Sequence, residues 1–141
     1  MRGLLERLCG MAAALWWGSL TTVGFVVVPL LFSVLPTPAL AGQTAARLFT
    51  AQTWISVGCT LLLLVATRSV HGGAMARRTQ AAIGFLVLGL LLALLAEFAV
   101  APHIVARDNL RLWHSVGSGM YLVQWICAGA LLWRLFRPAP T

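Results

Sequence analysis

Apolar residues occur in four long runs along the chain, separated by short segments that hold most of the prolines and charged residues. A membrane-spanning helix needs roughly 20 mostly apolar residues, and each run is long enough. Strands of a membrane barrel would alternate apolar and polar positions, but residues 61–64 and 90–92 are leucine throughout. The pattern therefore predicts an all-α fold with four spans, at about residues 8–35, 48–66, 81–101 and 112–136.

Prolines set the expected ends of two spans. Proline interrupts a helix because it lacks a backbone N–H and clashes with the preceding turn, so Pro36 and Pro38 should end the first span. Pro29 lies inside that span, where we expect a kink or an early end. Pro102 should end the third span and leave His103 in a loop. The short connections favour an up-and-down four-helix bundle, formed by residues 1–141 as a single domain.

The composition supports a membrane protein. The 141 residues are 60% hydrophobic and 9% charged, whereas soluble domains have about 45–50% apolar and about 25% charged residues. The mean hydropathy is +0.91. A water-soluble fold of this length could not bury so much apolar surface. The composition therefore excludes an ordinary cytosolic enzyme and a disordered chain.

The charged residues predict an orientation. All ten basic residues are arginine, and with three acids the net charge is +7. Seven arginines fall in the N-terminus, the second loop and the C-terminus, and three in the other two loops. Because cytoplasmic segments carry the excess of basic residues, the sequence predicts a bacterial inner-membrane protein with both termini in the cytoplasm (N-in/C-in). Arg68, Arg77 and Arg78 would then attract anionic lipid headgroups, and no nucleic-acid partner is expected.

The first 41 residues also have features of a cleavable signal peptide. Two arginines precede the apolar run, and Ala39, Leu40 and Ala41 form the kind of site that signal peptidase requires. The run of about 28 residues is longer than the usual 7–15 residues of a signal peptide. It also holds Trp16 and Trp17, so we expect an uncleaved span. Cleavage after Ala41, which would leave three spans, is the alternative.

Small and polar residues recur at helical spacing in every span. Helices in lipid associate through close packing of small residues and through polar contacts, so these faces should form the bundle interior. The sets are Gly10, Ala14, Gly18 and Thr22 in the first span, Gln52, Ser56 and Thr60 in the second, Gly89, Ala93 and Glu97 in the third, and His114, Ser118, Tyr121, Gln124 and Trp125 in the fourth.

Polar residues that could bind a ligand concentrate at the predicted outer end of the bundle. Glu97 is the only acid inside a span, and an ionisable group in a membrane is costly and suggests function. His103 and His114 follow it across the third loop, and Arg47 and Gln52 stand at the start of the second span. We therefore expect these five side chains to form a polar cluster.

Two interpretations of this cluster remain open. In the structural one, Glu97 contacts interfacial water or forms a salt bridge with Arg47, Arg107 or Arg111. In the functional one, Glu97 and the two histidines form a metal or proton site, because imidazole and carboxylate suit zinc or copper and histidine titrates near physiological pH. Haem bound through the histidines is a further alternative. No resident cofactor is expected from the sequence.

The sequence contains no motif of a known catalytic centre, neither a nucleophile elbow nor a P-loop nor a zinc-protease helix. We therefore expect no enzyme and name no catalytic residue. The first hypothesis is a small inner-membrane protein with an accessory or interaction role, whose partner is another membrane protein or a second copy of the chain. The alternatives are transport or metal-ion handling through the outer cluster, and a haem-binding redox protein.

Short motifs that carry a family resemblance are spread over most of the chain: Trp17-Gly18, Pro29-Leu30-Leu31-Phe32, Leu35-Pro36, Gly42, Leu48-Phe49, Ser56, Gly58-Cys59, Pro102 and His114-Ser115. With them the chain resembles the transmembrane-protein-205-like family, a bacterial membrane domain of unknown function. The resemblance implies four spans and no established reaction. A more distant similarity, through a W-x-G motif and proline-bearing spans, links it to the membrane domain of copper-resistance D proteins. That similarity implies copper handling only by analogy of fold.

Overall fold

The computed structural model describes residues 2–70 and 77–136, and these residues form helices joined by short turns. No strand occurs in this part of the chain, so the all-α prediction is confirmed. The predicted second loop at residues 71–76 and Arg137 lie outside the described residues. The α-helices are α1 (Arg2–Thr21), α2 (Val28–Val34), α3 (Pro38–Val70), α4 (Arg77–Leu95), α5 (Ala101–Val105) and α6 (Leu110–Phe136), with π-helical turns at Thr22–Val27 and Ala96–Val100.

Four helical segments are long and apolar enough to cross a membrane, as the sequence predicts. They are Gly3–Val34, Pro38–Thr67, Gln80–Val105 and Leu110–Phe136. In the helices described, α1 packs beside α3 and α6, and α4 packs beside the same two helices. The four spans therefore form a closed ring. Each span packs beside the next one in the sequence, and the fourth packs beside the first. The connections at residues 35–37 and 106–109 lie at the same end of this bundle, which we call the connection end.

The second span begins earlier than predicted. Pro38 starts α3, about ten residues before the predicted start, because proline is tolerated in the first turn, where a backbone N–H has no partner within the helix. The Thr37 hydroxyl caps this turn by accepting a hydrogen bond of 3.2 Å from the Leu40 N–H. The predicted bounds of the second span leave Arg47 just outside it, in the first loop, and this is wrong, since Arg47 belongs to α3.

Neither Pro29 nor Pro102 ends its helix, which corrects the predicted end of the third span. Each proline is the second residue of an α-helical segment that directly follows a π-helical turn. In that turn the N–H of the preceding residue bonds five residues back, from Val28 to Val23 and from Ala101 to Ala96. The wider turn makes room for the proline ring, which would clash with an ordinary helical turn. The helix therefore continues, and His103 lies in α5 rather than in a loop.

The bundle core is built around Trp16. Its indole is fully buried, whereas Ala14 and Thr22 of the predicted interior face are exposed, so the expected small-residue face of the first span is wrong. The expected interior residues Gln52, Ser56 and Thr60 of the second span are buried, as are Gly89 and Ala93 of the third. The core cluster consists of Ala12, Ala13, Trp16, Leu20, Cys59, Leu63, Leu86, Ala128 and Leu131.

Large apolar side chains cover the outside of the bundle. Leu15, Leu61, Leu91 and Ile126, one from each span, are each about half exposed or more. Exposure of this kind is expected where a helix faces lipid, since the acyl chains replace water as the surrounding solvent.

Candidate functional site

A cavity of about 930 Å³ lies between the spans, in the half of the bundle nearest the connection end. Every span contributes to its wall, and both π-helical turns border it, through Gly24 and Phe25 in the first and Glu97 and Val100 in the second. Its lining is mostly apolar. A concave, mainly apolar cavity with a few polar groups is the usual form of a small-molecule site.

Four of the five residues of the predicted cluster line this cavity: Arg47, Gln52, Glu97 and His114. His103 does not belong to the lining. Its imidazole stacks on Trp113, with ring centroids 4.1 Å apart, and its Nδ1 lies 3.4 Å from the carboxylate of Asp108. The structure thus brings His114 to the cavity, whereas His103 lies on α5 against Trp113 and Asp108 and outside the lining.

The described residues contain no group of three or more histidine, cysteine, aspartate or glutamate side chains that could hold a metal ion. Glu97, His103 and His114 are all described, so they do not form a three-ligand set within the chain. Zinc and copper sites need three or four protein ligands with suitable geometry. The predicted metal set is therefore not assembled in this structure.

Glu97 is half-buried in the second π-helical turn, and its only hydrogen-bond partner among the described residues is neutral. The Thr50 hydroxyl of α3 donates to Glu97 Oε1 over 2.9 Å. No arginine forms an ion pair with this carboxylate in the described part of the chain, so the salt bridge, one of the two options of the structural interpretation, is not formed. A carboxylate inside a membrane without a cationic partner is costly, and such a group marks a functional site by default.

Two amide side chains stand at the inner end of the cavity, toward the middle of the bundle. Gln52 on α3 and Gln124 on α6 are only 3% and 4% exposed, and both line the cavity. Gln52 Nε2 donates to Ser19 Oγ over 3.0 Å. Its Oε1, like the Nε2 of Gln124, has no hydrogen-bond partner among the described residues. Burying an unpaired amide group costs roughly 1–3 kcal/mol, so both atoms lack a partner they need.

Two aromatic side chains of α6 form hydrogen bonds to the first span beside the cavity. The Tyr121 hydroxyl donates to the Leu20 carbonyl over 2.8 Å, and the Trp125 indole donates to the Thr21 hydroxyl over the same distance. The Tyr121 ring lies so close to Gly24 that a Cβ there would clash with a ring carbon. These contacts fix the wall at the start of the first π-helical turn.

The sequence did not predict the role of Thr50, nor that Gln52 and Gln124 line the same cavity. The hydroxyl of Thr50 meets Glu97 across two helices, and spacing along one helix gives no signal for such a contact. Gln124 lies on the predicted interior face of the fourth span, but its relation to Gln52 depends on how the helices are arranged around the ring.

The four spans and the polar cavity between them define a small multi-pass membrane protein. Residues 11–112 match the family described as a domain of unknown function, DUF4149, and because the match covers most of the chain, the protein belongs to that family. The matched range ends at the start of α6, so the wall formed by His114, Tyr121 and Gln124 lies beyond it. No curated protein and no solved structure is significantly similar to the chain.

Proposed function

We propose that this membrane protein binds a small amphipathic organic cation in the cavity between its spans. The observation that carries the proposal is the environment of Glu97, a carboxylate inside a span whose one partner is the neutral Thr50 hydroxyl. Thr50 occupies Oε1, and no hydrogen bond to Oε2 is found in the part of the chain described. A ligand ammonium group at Oε2 would offset the cost of placing a negative charge in the membrane.

The rest of the cavity suits the apolar part of such a ligand. Phe25 and Val28 of the first span and Ile104 of the third are among the apolar residues of its wall. A volume of about 930 Å³ falls within the range of roughly 300–1,000 Å³ that is typical of small-molecule sites. Burial of a hydrocarbon chain contributes about 0.8 kcal/mol for each methylene removed from water.

This proposal follows the transport alternative rather than the accessory role, because the chain's own four spans form the walls of the cavity. Metal and haem are not part of it, since His103 contacts Trp113 and Asp108 and does not line the cavity. The arginine distribution supports placing the protein in a bacterial inner membrane with both termini in the cytoplasm. The cavity would then lie in the periplasmic half of the bilayer.

Photo-labelling in lipid nanodiscs tests the proposal. Dodecylamine that carries a diazirine should label the wild-type protein at cavity residues, and excess unlabelled dodecylamine should prevent it. Glu97→Gln should weaken this competition about tenfold or more, because it removes the only acid in the lining. Glu6→Gln is the matched control, since Glu6 is exposed on α1 and outside the lining. Equal competition by the wild type and Glu97→Gln would overturn the proposal.

A further inference from the structure

We infer that the cation bound in this cavity is a quaternary ammonium group, whose alkyl groups lie against the aromatic rings of Phe25, Phe49 and Tyr121. The inference rests on the proposed function, because the same Glu97 carboxylate supplies the negative charge. It adds the class of head group, which a carboxylate alone does not decide. The observation behind it is that the three aromatic residues and Glu97 line one cavity and lie at one height along the bundle axis.

Contacts with α3 place the carboxylate and two of the aromatic residues at one height. The Thr50 hydroxyl donates to Glu97 over 2.9 Å. Phe49, the preceding residue, packs its ring against Tyr121 of α6, with the ring centroids 5.4 Å apart in an edge-to-face arrangement. Consecutive residues rise only about 1.5 Å along a helix, so α3 meets the third span and the fourth span at nearly the same height.

A contact between the third and fourth spans leads to the same height. A Cβ built on Gly117 of α6 would lie 3.4 Å from a side-chain carbon of Val100. The two spans run in opposite directions, because a short turn joins α5 to α6. One helical turn deeper from this contact are Glu97 on the third span and Tyr121 on the fourth. Glu97 and Tyr121 therefore lie opposite each other along the bundle axis, as their contacts with α3 also require.

The first span brings the third aromatic ring to this height. Gly24 lies directly against the Tyr121 ring, and Phe25 is the next residue. The Phe25 ring contacts Trp125 edge to face, with centroids 5.4 Å apart. Phe25 and Phe49 are 51% and 36% exposed, and both line the cavity, so a ligand there can reach part of each ring.

This combination of groups suits a quaternary ammonium better than a primary one. A primary ammonium carries three N–H donors, and burying them without acceptors is costly. The cavity is mostly apolar, and Glu97 is the one carboxylate among the described residues that line it. A quaternary ammonium has no N–H to satisfy. Its charge is attracted both by the carboxylate and by the negative faces of aromatic rings, which are the usual binding partners of such groups.

Arg47 also lines the cavity, and its charge would repel a cation. It lies three residues before Thr50 on α3, one turn nearer the connection end, and it is exposed, whereas Glu97 is half-buried. A charge in contact with water acts through a higher dielectric than a charge in the interior. The repulsion by Arg47 is therefore weaker than the attraction by Glu97.

The opposing interpretation is that the three rings only pack the bundle. Replacing Phe25 or Phe49 by 3,4,5-trifluorophenylalanine separates the two, because fluorine keeps the ring but withdraws the negative charge from its face. Phe32 is the matched control position. It also lines the cavity and is 51% exposed, but it stands seven residues from Phe25, about 10 Å nearer the connection end.

The test is competition, in nanodiscs, against the diazirine-bearing dodecylamine. The competitors are dodecyltrimethylammonium, dodecylamine and dodecan-2-ol, each corrected for its partitioning into the same lipid. In the wild type the quaternary ion should compete about tenfold better than dodecylamine. Fluorination at Phe25 or Phe49 should weaken the quaternary ion about fivefold and leave dodecan-2-ol unchanged, whereas fluorination at Phe32 should change neither. Thermal unfolding of each variant in the same nanodiscs shows that the fold is retained.

The outcomes separate this inference from the proposed function. If Glu97→Gln weakens both cations but fluorination at Phe25 and Phe49 changes nothing, or acts no differently from fluorination at Phe32, the aromatic site is overturned and the carboxylate site stands. Equal competition by the two cations in the wild type also overturns the aromatic site. If fluorination weakens the quaternary ion while Glu97→Gln changes nothing, the role of Glu97 is overturned and the aromatic site stands. If the probe labels no cavity residue in the wild type, both are overturned.

Discussion

The indole of Trp16 lies directly against the backbone of Gly89, which joins α1 to α4 across the centre of the bundle. A Cβ built on Gly89 would lie 2.6 Å from two carbons of the indole, closer than real contacts allow. Trp16, the largest fully buried side chain among the described residues, therefore fits in the core because Gly89 has no side chain. The four spans pack around this contact. The cavity begins toward the connection end, where Ala93, one turn farther along α4, lines it.

We therefore expect Gly89→Ala to destabilise the protein by about 1–3 kcal/mol, the usual cost of overpacking a core. Gly84→Ala is the control on the same helix, because a Cβ there would meet no atom within 4 Å. It should be neutral or slightly stabilising, since alanine favours a helix over glycine by up to about 1 kcal/mol. The measurement is the thermal unfolding midpoint in nanodiscs. Equal midpoints for the two variants would show that Trp16 does not need Gly89.

A second prediction concerns metals. We expect purified wild-type protein and the His103→Ala variant to contain the same, substoichiometric amounts of zinc and copper. The reason is that the described residues contain no set of three metal ligands and that His103 is engaged with Trp113 and Asp108. Elemental analysis by mass spectrometry checks this directly. One metal per chain in the wild type, lost in His103→Ala, would restore the metal site predicted from the sequence.

The sequence predicts the spans and four polar residues of the cavity lining, but not the local geometry that makes the site. Hydrophobic run length locates the spans well, since lipid imposes it on every membrane helix. It fails at Pro29 and Pro102, because proline normally stops a helix and nothing in a single sequence announces a π-helical turn. The spacing of small residues also predicted the wrong interior face for α1. The large Trp16 faces inward there only because Gly89, on another helix, leaves space for it.

The sequence likewise predicts only part of the polar cluster. Glu97 stands out in the sequence as the single acid within a span. The direction of each helix predicts that the other four residues of the cluster lie at the same end of the bundle. The sequence does not predict that Thr50 bonds Glu97 or that Gln124 lines the same cavity. These residues reach the cavity from different helices, and only the packing of the helices decides which faces meet. His103 does not line the cavity because its imidazole is stacked on Trp113, although its neighbours Pro102 and Ile104 do line it.

A third prediction concerns orientation. From the arginine distribution we expect a C-terminal fusion to green fluorescent protein to fluoresce in a bacterial host, and a C-terminal alkaline phosphatase fusion to be inactive. Fusions placed after residue 36, in the first connection, should give the reverse pattern. An active C-terminal phosphatase would contradict the proposed orientation and would place the cavity in the cytoplasmic half of the bilayer.

The last prediction isolates the hydrogen bond that positions Glu97. Thr50→Val keeps the size of the side chain and removes the hydroxyl that donates to Glu97 Oε1. A hydrogen bond to a charged group contributes about 1.5–3 kcal/mol, so its loss should destabilise the fold by about that amount, and the less firmly positioned carboxylate should weaken competition by dodecylamine. Thr44→Val is the matched control on α3, because the Thr44 hydroxyl bonds only the carbonyl of Leu40 in its own helix. Thr50→Val should not affect competition by dodecan-2-ol, which has no ammonium group. If both threonine variants bind dodecylamine as the wild type does, Glu97 is held by something other than Thr50.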